Sequence, residues 1–92
     1  MMKVRAHVFV TGRVQDVFFR SETRYEARIH HVVGWVRNLP DDRLECVFEG
    51  EEDDVKKLVE FCRRGPPAAE VKETVVSYEP YSGVFTSFET RY

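Results

Sequence analysis

Leu44-Glu45-Cys46-Val47-Phe48-Glu49, followed at once by Gly50-Glu51-Glu52-Asp53-Asp54-Val55-Lys56-Lys57-Leu58-Val59-Glu60-Phe61-Cys62-Arg63-Arg64-Gly65-Pro66-Pro67, changes its period part-way along. In the first six residues Leu44, Cys46 and Phe48 share one face while Glu45, Val47 and Glu49 share the other, the alternation of a half-buried strand. From Glu51 to Arg64 the apolar positions Val55, Leu58, Val59 and Cys62 fall at i, i+3, i+4 and i+7, the spacing of an amphipathic helix. Acidic residues crowd its first turn and Arg63 and Arg64 close its last, as the helix dipole favours. Gly65-Pro66-Pro67 then stops it.

Upstream, Val32 to Arg37 is rich in β-branched and aromatic residues and reads as a strand, joined to 44–49 through the turn cluster Asn38-Leu39-Pro40-Asp41-Asp42. These two should pair as a hairpin. Before them, Ser21 to His31 suits a helix with Ser21 as N-cap, or with Thr23 and Glu26 at capping-box spacing if it starts later. Tyr25, Ala27 and Ile29 give no clean apolar stripe, so its buried face stays open. The first strand is Val4 to Val10, with Val4, Ala6, Val8 and Val10 on one face and Arg5, His7 and Phe9 on the other. Downstream, Val71 to Tyr78 is a fourth strand, Pro80 to Gly83 a loop, and Val84 to Tyr92 a terminal strand carrying Phe85 and Phe88.

The order is strand, helix, strand, strand, helix, strand, with one strand added. It matches an α+β, ferredoxin-like sandwich (βαββαβ) in which both helices cover one face of an antiparallel sheet. Ninety-two residues make one domain, residues 1–92, burying about 60 to 65 per cent of the surface its unfolded chain exposes. With 42% hydrophobic and 33% charged residues, disorder is not expected. The 14 basic and 16 acidic residues leave a net charge of −2, which gives nucleic acid or an anionic membrane no summed field to bind. No run approaches the eighteen or so apolar residues of a membrane span, and the N-terminus lacks a signal-peptide core. A cytoplasmic protein is expected. Cys46 and Cys62 are too few for a disulfide framework and lack metal-ligand spacing, so they read as reduced core residues.

Such a fold hosts many activities, and the loops must decide between them. Gly12-Arg13-Val14-Gln15-Asp16-Val17-Phe18-Phe19-Arg20 leaves the first strand and opens the first helix. A loop of that kind presents unpaired backbone N–H groups at the positive end of a helix dipole, a ready anion site. Arg20 at its end could grip two phosphoryl oxygens with its planar guanidinium, or be a solvated first-turn arginine. Asn38, ending the second strand, by itself reads more readily as an amide bonded to its own backbone.

Taken together, Val10-x-Gly12-x-Val14-Gln15-x-Val17-x-Phe19-Arg20 and Gly34-Trp35-Val36-Arg37-Asn38 resemble the two signature stretches of the acylphosphatase family. The likeness runs on to the Gly65-Pro66-Pro67 helix stop and the aromatic segment ending Arg91-Tyr92. It implies a ferredoxin-like monomer that hydrolyses the carboxyl–phosphate bond of acyl phosphates without metal or cofactor and is inhibited by its product, inorganic phosphate. It also implies roles. Arg20 and the backbone N–H groups of Gln15, Asp16, Val17, Phe18 and Phe19 would bind the phosphoryl group, and Asn38 would position the attacking water.

Asp16 departs from the family, which has glycine there. If the position requires positive φ, a non-glycine residue costs about 1 kcal/mol. A carboxylate ~6 Å from the bound phosphoryl would oppose it by roughly 1 to 3 kcal/mol at an effective dielectric of about 80 to 20. Alternatively its side chain points to solvent, or it pairs with Arg20 and occupies the site. Asp16 thus leaves open an impaired anion-binding or protein-interaction module of the same fold. His31 and Asp42 also stand where the family has glycine, so His31 is expected in a left-handed helix-end conformation. Phe18, Phe19 and Trp35 read as core, since a nucleic-acid platform would surround them with positive charge.

Overall fold

A computed structural model describes residues 2–92. Among the described residues the elements run β1 (Lys3–Arg13), α1 (Phe19–Ile29), β2 (Val33–Asn38), β3 (Leu44–Glu51), α2 (Glu52–Arg64), β4 (Glu70–Glu79) and β5 (Phe88–Arg91). The five strands form one sheet in the order β4-β1-β3-β2-β5. The pairs β1–β3, β1–β4 and β2–β3 are antiparallel. The added β5 runs parallel to β2, pairing Gly34 with Phe88, so the completed sheet is mixed.

Both helices pack on the face that carries Ala6, Val8, Val10, Val36, Leu44, Cys46 and Phe48, where they contribute Phe19, Ala27, Val55, Leu58 and Val59. The α2 stripe is the one its spacing requires, with Phe61 added beside Cys62. Cys46 and Cys62 are buried, free thiols, and burial followed by contact with Cys62 holds the Cys46 thiol well above its ordinary pKa. Gly34 sits at φ 135°, where a Cβ would lie 1.9 Å from the carbonyl oxygen of Val47. Only glycine lets β2 approach β3 so closely at this register.

Several boundaries differ from the sequence reading for physical reasons. Helix α1 starts at Phe19, two residues before Ser21, and its buried stripe is Phe19, Thr23 and Ala27. Ser21 and Thr23 are inside the helix and bond backward, to Phe18 O at 3.1 Å and Phe19 O at 2.7 Å, so neither acts as N-cap. That phase puts Phe19 in the core and leaves Phe18 77% exposed, which corrects the core assignment of Phe18. Strand β3 is buried on both faces instead of half buried, because it is central and Pro80 to Ser87 crosses above it. There Glu49 accepts from Ser82 N–H at 2.9 Å, Ser82 O–H at 2.8 Å and Gly83 N–H at 3.1 Å. The terminal strand is confined to Phe88–Arg91.

The face away from the helices is charged. His7 lies between two carboxylates, Nε2 at 2.6 Å from Glu45 and Nδ1 at 2.8 Å from Glu79. Arg5 reaches Glu79 at 3.0 Å and Glu49 at 3.2 Å, while Arg37 reaches Glu45 at 2.6 Å. Burial pushes the His7 pKa down, but bonds to Glu45 and Glu79 outweigh it, leaving His7 raised from 6.5. Burial likewise works against Glu49, and the donors of Ser82, Gly83 and Arg5 bring it below the ordinary carboxylate value. This cluster is a structural layer on the sheet.

Candidate active site

Between β1 and α1 the chain must reverse from a strand on the sheet to a helix above it, and residues 14–18 accomplish this. Val14 and Val17 are 1% and 4% exposed and anchor the loop in the core. Between and beyond them, Asp16 (φ 59°) and Phe18 (φ 64°) adopt left-handed backbone. Such winding at alternate residues turns successive N–H groups toward one side, the concavity known to hold anions. The bulge between Thr11 and Gly12 in the β1–β4 pairing aims the strand end into this loop.

No side chain caps α1, and the first backbone bond into it is Glu22 N–H to Phe18 O at 3.0 Å. Among the described residues, none of the N–H groups from Gln15 to Ser21 donates to a protein acceptor. Seven donors in sequence are thus left for a ligand at the positive end of α1.

Arg20 and Asn38 line the same cavity, of about 430 Å³, together with Val14, Asp16, Phe18 and Phe19. The Arg20 guanidinium lies 5.0 Å from the centre of the Tyr92 ring and has no carboxylate within ion-pair distance among the described residues. A cation in the first turn of a helix is opposed by the dipole, a cost that a bound anion would reverse. Asn38 Oδ1 is buried with no hydrogen-bond partner among the described residues. Buried polar atoms are seldom orphaned without a functional reason, and the local backbone bond open to Asn38 on sequence grounds is not made. The structure therefore brings Arg20, Asn38 and the N–H loop to one place.

What joins them is a side chain whose part sequence reasoning missed. Gln15 Nε2 donates to Leu39 O at 2.8 Å and to Arg43 O at 3.0 Å, tying the loop to both sides of the β2–β3 turn. Arg24, one turn beyond Arg20, and Ser21, Thr90 and Tyr92 complete the wall. The i, i+4 spacing of Arg20 and Arg24 could have revealed the second cation; nothing in the sequence announces the Gln15 tie.

Asp16, His31 and Asp42 all take positive φ, at 59°, 57° and 72°. Asp16 is exposed on the cavity wall, and among the described residues it forms no ion pair with Arg20. The possibility that its carboxylate is bonded into the site is thereby removed. Among the described residues no helix is long and apolar enough to cross a membrane, and no cluster of three or more His, Cys, Asp or Glu is placed to hold a metal ion.

The family model for acylphosphatase matches residues 6–90. The chain is 51% identical to an acylphosphatase of Pelotomaculum thermopropionicum over 97% of both chains. Among solved structures it is similar to an acylphosphatase from Coxiella burnetii, with TM-score 0.91 and 35% identity over 97% of this chain and 93% of that one. It is equally similar to the Bacillus subtilis acylphosphatase, with TM-score 0.92 and 31% identity over 97% and 99% of the two chains. A loop of unpaired N–H groups, an arginine and an orphaned asparagine that line one cavity thus occur within a chain that aligns over nearly its whole length with acylphosphatases: it belongs to the acylphosphatase family.

Proposed function

We propose that this acylphosphatase hydrolyses acyl phosphates to a carboxylate and inorganic phosphate in the cavity between the 14–18 loop and Asn38. Backbone N–H groups of Gln15, Asp16, Val17, Phe18 and Phe19 and the guanidinium of Arg20 hold the phosphoryl oxygens. Asn38 orients a water for in-line attack on phosphorus. The P–O bond to the acyl carboxyl breaks, the carboxylate leaves with the electron pair, and a phosphoryl oxygen takes the water's proton. An acyl phosphate already carries a good leaving group, so orientation and charge stabilisation suffice without a covalent nucleophile. The observation that carries this reading is the buried, unpartnered Asn38 Oδ1 sharing a cavity with Arg20.

The test is hydrolysis of acetyl and benzoyl phosphate with chelator present. Activity that chelator leaves intact, competitive inhibition by inorganic phosphate, and near-total loss in Asn38→Ala are expected. Metal-dependent turnover, or an unaffected Asn38→Ala enzyme, would refute the assignment. Asp16 on the cavity wall favours one second reading, a module that binds anions with little turnover. Phosphate binding by calorimetry without hydrolysis would support it alone. The net charge of −2 gives nucleic acid or an anionic membrane surface no summed field, so a small anion is held locally by the loop and Arg20. Within this proposal residues 1–92 act as one cytoplasmic, monomeric domain without cofactor.

A further inference from the structure

The phosphate cavity does not end at Phe18. Beyond that residue lies a second cleft of about 430 Å³ whose walls are Val17, Phe18, Pro66, Pro67 and Ala68. Phe18 and Ser21 line both spaces, so the two meet along one edge of the 14–18 loop. The volume exceeds the ~150 Å³ cavity that admits a benzene ring.

Phe18 is an unfavourable choice for its position twice over. Its backbone is left-handed, at φ 64°, where bulky L residues are rare and Gly or Asn is easier. Its ring is 77% exposed, forgoing the transfer free energy that an aromatic side chain gains on burial. The N–H winding of the loop accounts for the φ value. It does not account for an aromatic ring, which gives the wall between the two spaces a flat apolar surface on which a guest can pack.

The rest of the cleft narrows what that is. Ser21 Oγ–H already donates to Phe18 O at 3.1 Å and offers no free donor. Glu22 stands at the rim, where a carboxylate disfavours an anionic guest. In an acyl phosphate only the bridging oxygen separates phosphorus from the acyl carbon. The acyl group therefore starts beside the phosphoryl site, and Phe18, which lines both spaces, is the wall that opens onto the second cleft.

Resting on the phosphoryl site proposed above, we infer that the cleft between Phe18 and Pro66-Pro67-Ala68 is an acyl subsite, which selects acyl phosphates with an uncharged, apolar acyl group about the size of a benzoyl ring. The ring of Phe18 supplies one apolar wall and the proline turn after α2 the other.

The experiment compares kcat/KM for benzoyl phosphate and acetyl phosphate in the wild type and in Ala68→Trp, which fills the cleft from an exposed turn position. The benzoyl-to-acetyl ratio is independent of the fraction of active protein. It is expected to fall about tenfold, equal to ~1.4 kcal/mol, with the change carried by KM for benzoyl phosphate. Phe18→Ala, which removes the opposite wall, should lower the same ratio and serves where Ala68→Trp does not fold. A ratio that does not fall overturns the subsite while acetyl phosphate hydrolysis stands. Wild-type protein that hydrolyses neither compound overturns the phosphoryl site itself, and the subsite with it.

Discussion

Gln15 donates its side-chain amide to the carbonyl of Leu39 at 2.8 Å, the residue directly after Asn38, so the loop that would hold the phosphoryl group and the strand end that would hold the water are one mechanical unit. Gln15→Leu removes one of two donors from each of two carbonyls, leaving Leu39 O with Asp42 N–H at 3.2 Å and Arg43 O with Leu39 N–H at 2.8 Å. The loss of one to two well-placed hydrogen bonds is expected to lower kcat/KM for acetyl phosphate by about 10- to 100-fold, or ~1.4 to 2.7 kcal/mol. Gln15→Asn, too short to span the gap, should resemble it, and steady-state kinetics with a thermal melt would show both effects.

Asn38→Ala is expected to separate activity from stability. Removing a group that acts on the transition state costs about 10²- to 10³-fold in kcat. Because Asn38 Oδ1 is buried and unpartnered, its deletion removes a desolvation penalty, and the melting temperature should hold or rise. The competitive inhibition constant for phosphate should change little, since the N–H groups and Arg20 remain.

For Asp16→Gly the expected gain is in anion affinity. The substitution relieves left-handed strain of about 1 kcal/mol at φ 59° but adds unfolded-state entropy worth ~0.4 to 1 kcal/mol, so stability should barely move. Phosphate should bind severalfold more tightly or turnover should rise, and the advantage should shrink as salt is added. Identical phosphate affinity and turnover in the two proteins would remove Asp16 from consideration.

Stability should peak in mildly acidic solution. The His7 pKa is raised from 6.5 by Glu45 and Glu79 against the opposing effect of burial, so its contribution is complete below about 6.5 and is lost as pH rises through the higher folded value. The Glu45 and Glu49 pKa values are lowered from 4.5, burial opposing their bonds to His7 and Arg37 and to Ser82, Gly83 and Arg5. Their contributions hold above about 4.5 and fade as pH drops through the depressed values. Melting temperatures across pH 3 to 9 should fall on both sides, and His7→Gln should remove the decline on the alkaline side.

Much of this architecture was legible because burial and period agree along α2 and β1. The Val55, Leu58, Val59, Cys62 stripe faces the sheet as its spacing requires. The first helix was less legible because its buried stripe is Phe19, Thr23 and Ala27: a threonine there bonds its own backbone and so hides as a polar residue. In β3, Glu45 and Glu49 carry the pattern of a solvent face yet are 6% and 0% exposed. Their partners come from β1, β2 and the 80–87 crossover, which no local period can foretell.

The site divides in the same way. Backbone chemistry was readable from the loop's place between strand and helix, and the left-handed conformation of His31, with that of Asp16 as a condition, was expected from the resemblance; that of Asp42 was not. The Gln15 tie, the second arginine and the exposed ring of Phe18 depend on what the β2–β3 and α2–β4 turns bring near. Those are relationships between distant parts of the chain.

The placing of β1 between β3 and β4 has a consequence for how the molecule is made. Val8 pairs with Cys46 on one side and with Val76 on the other, partners 38 and 68 positions later in the chain. A first strand whose neighbours both come later cannot complete its ladder until Glu79 has been synthesised, at about 5 to 20 residues per second. Entropy must be spent on closing long loops before these contacts form. Refolding should accordingly be slower than in helical proteins of this length, and it should be limited by the arrival of β4 and not by either helix.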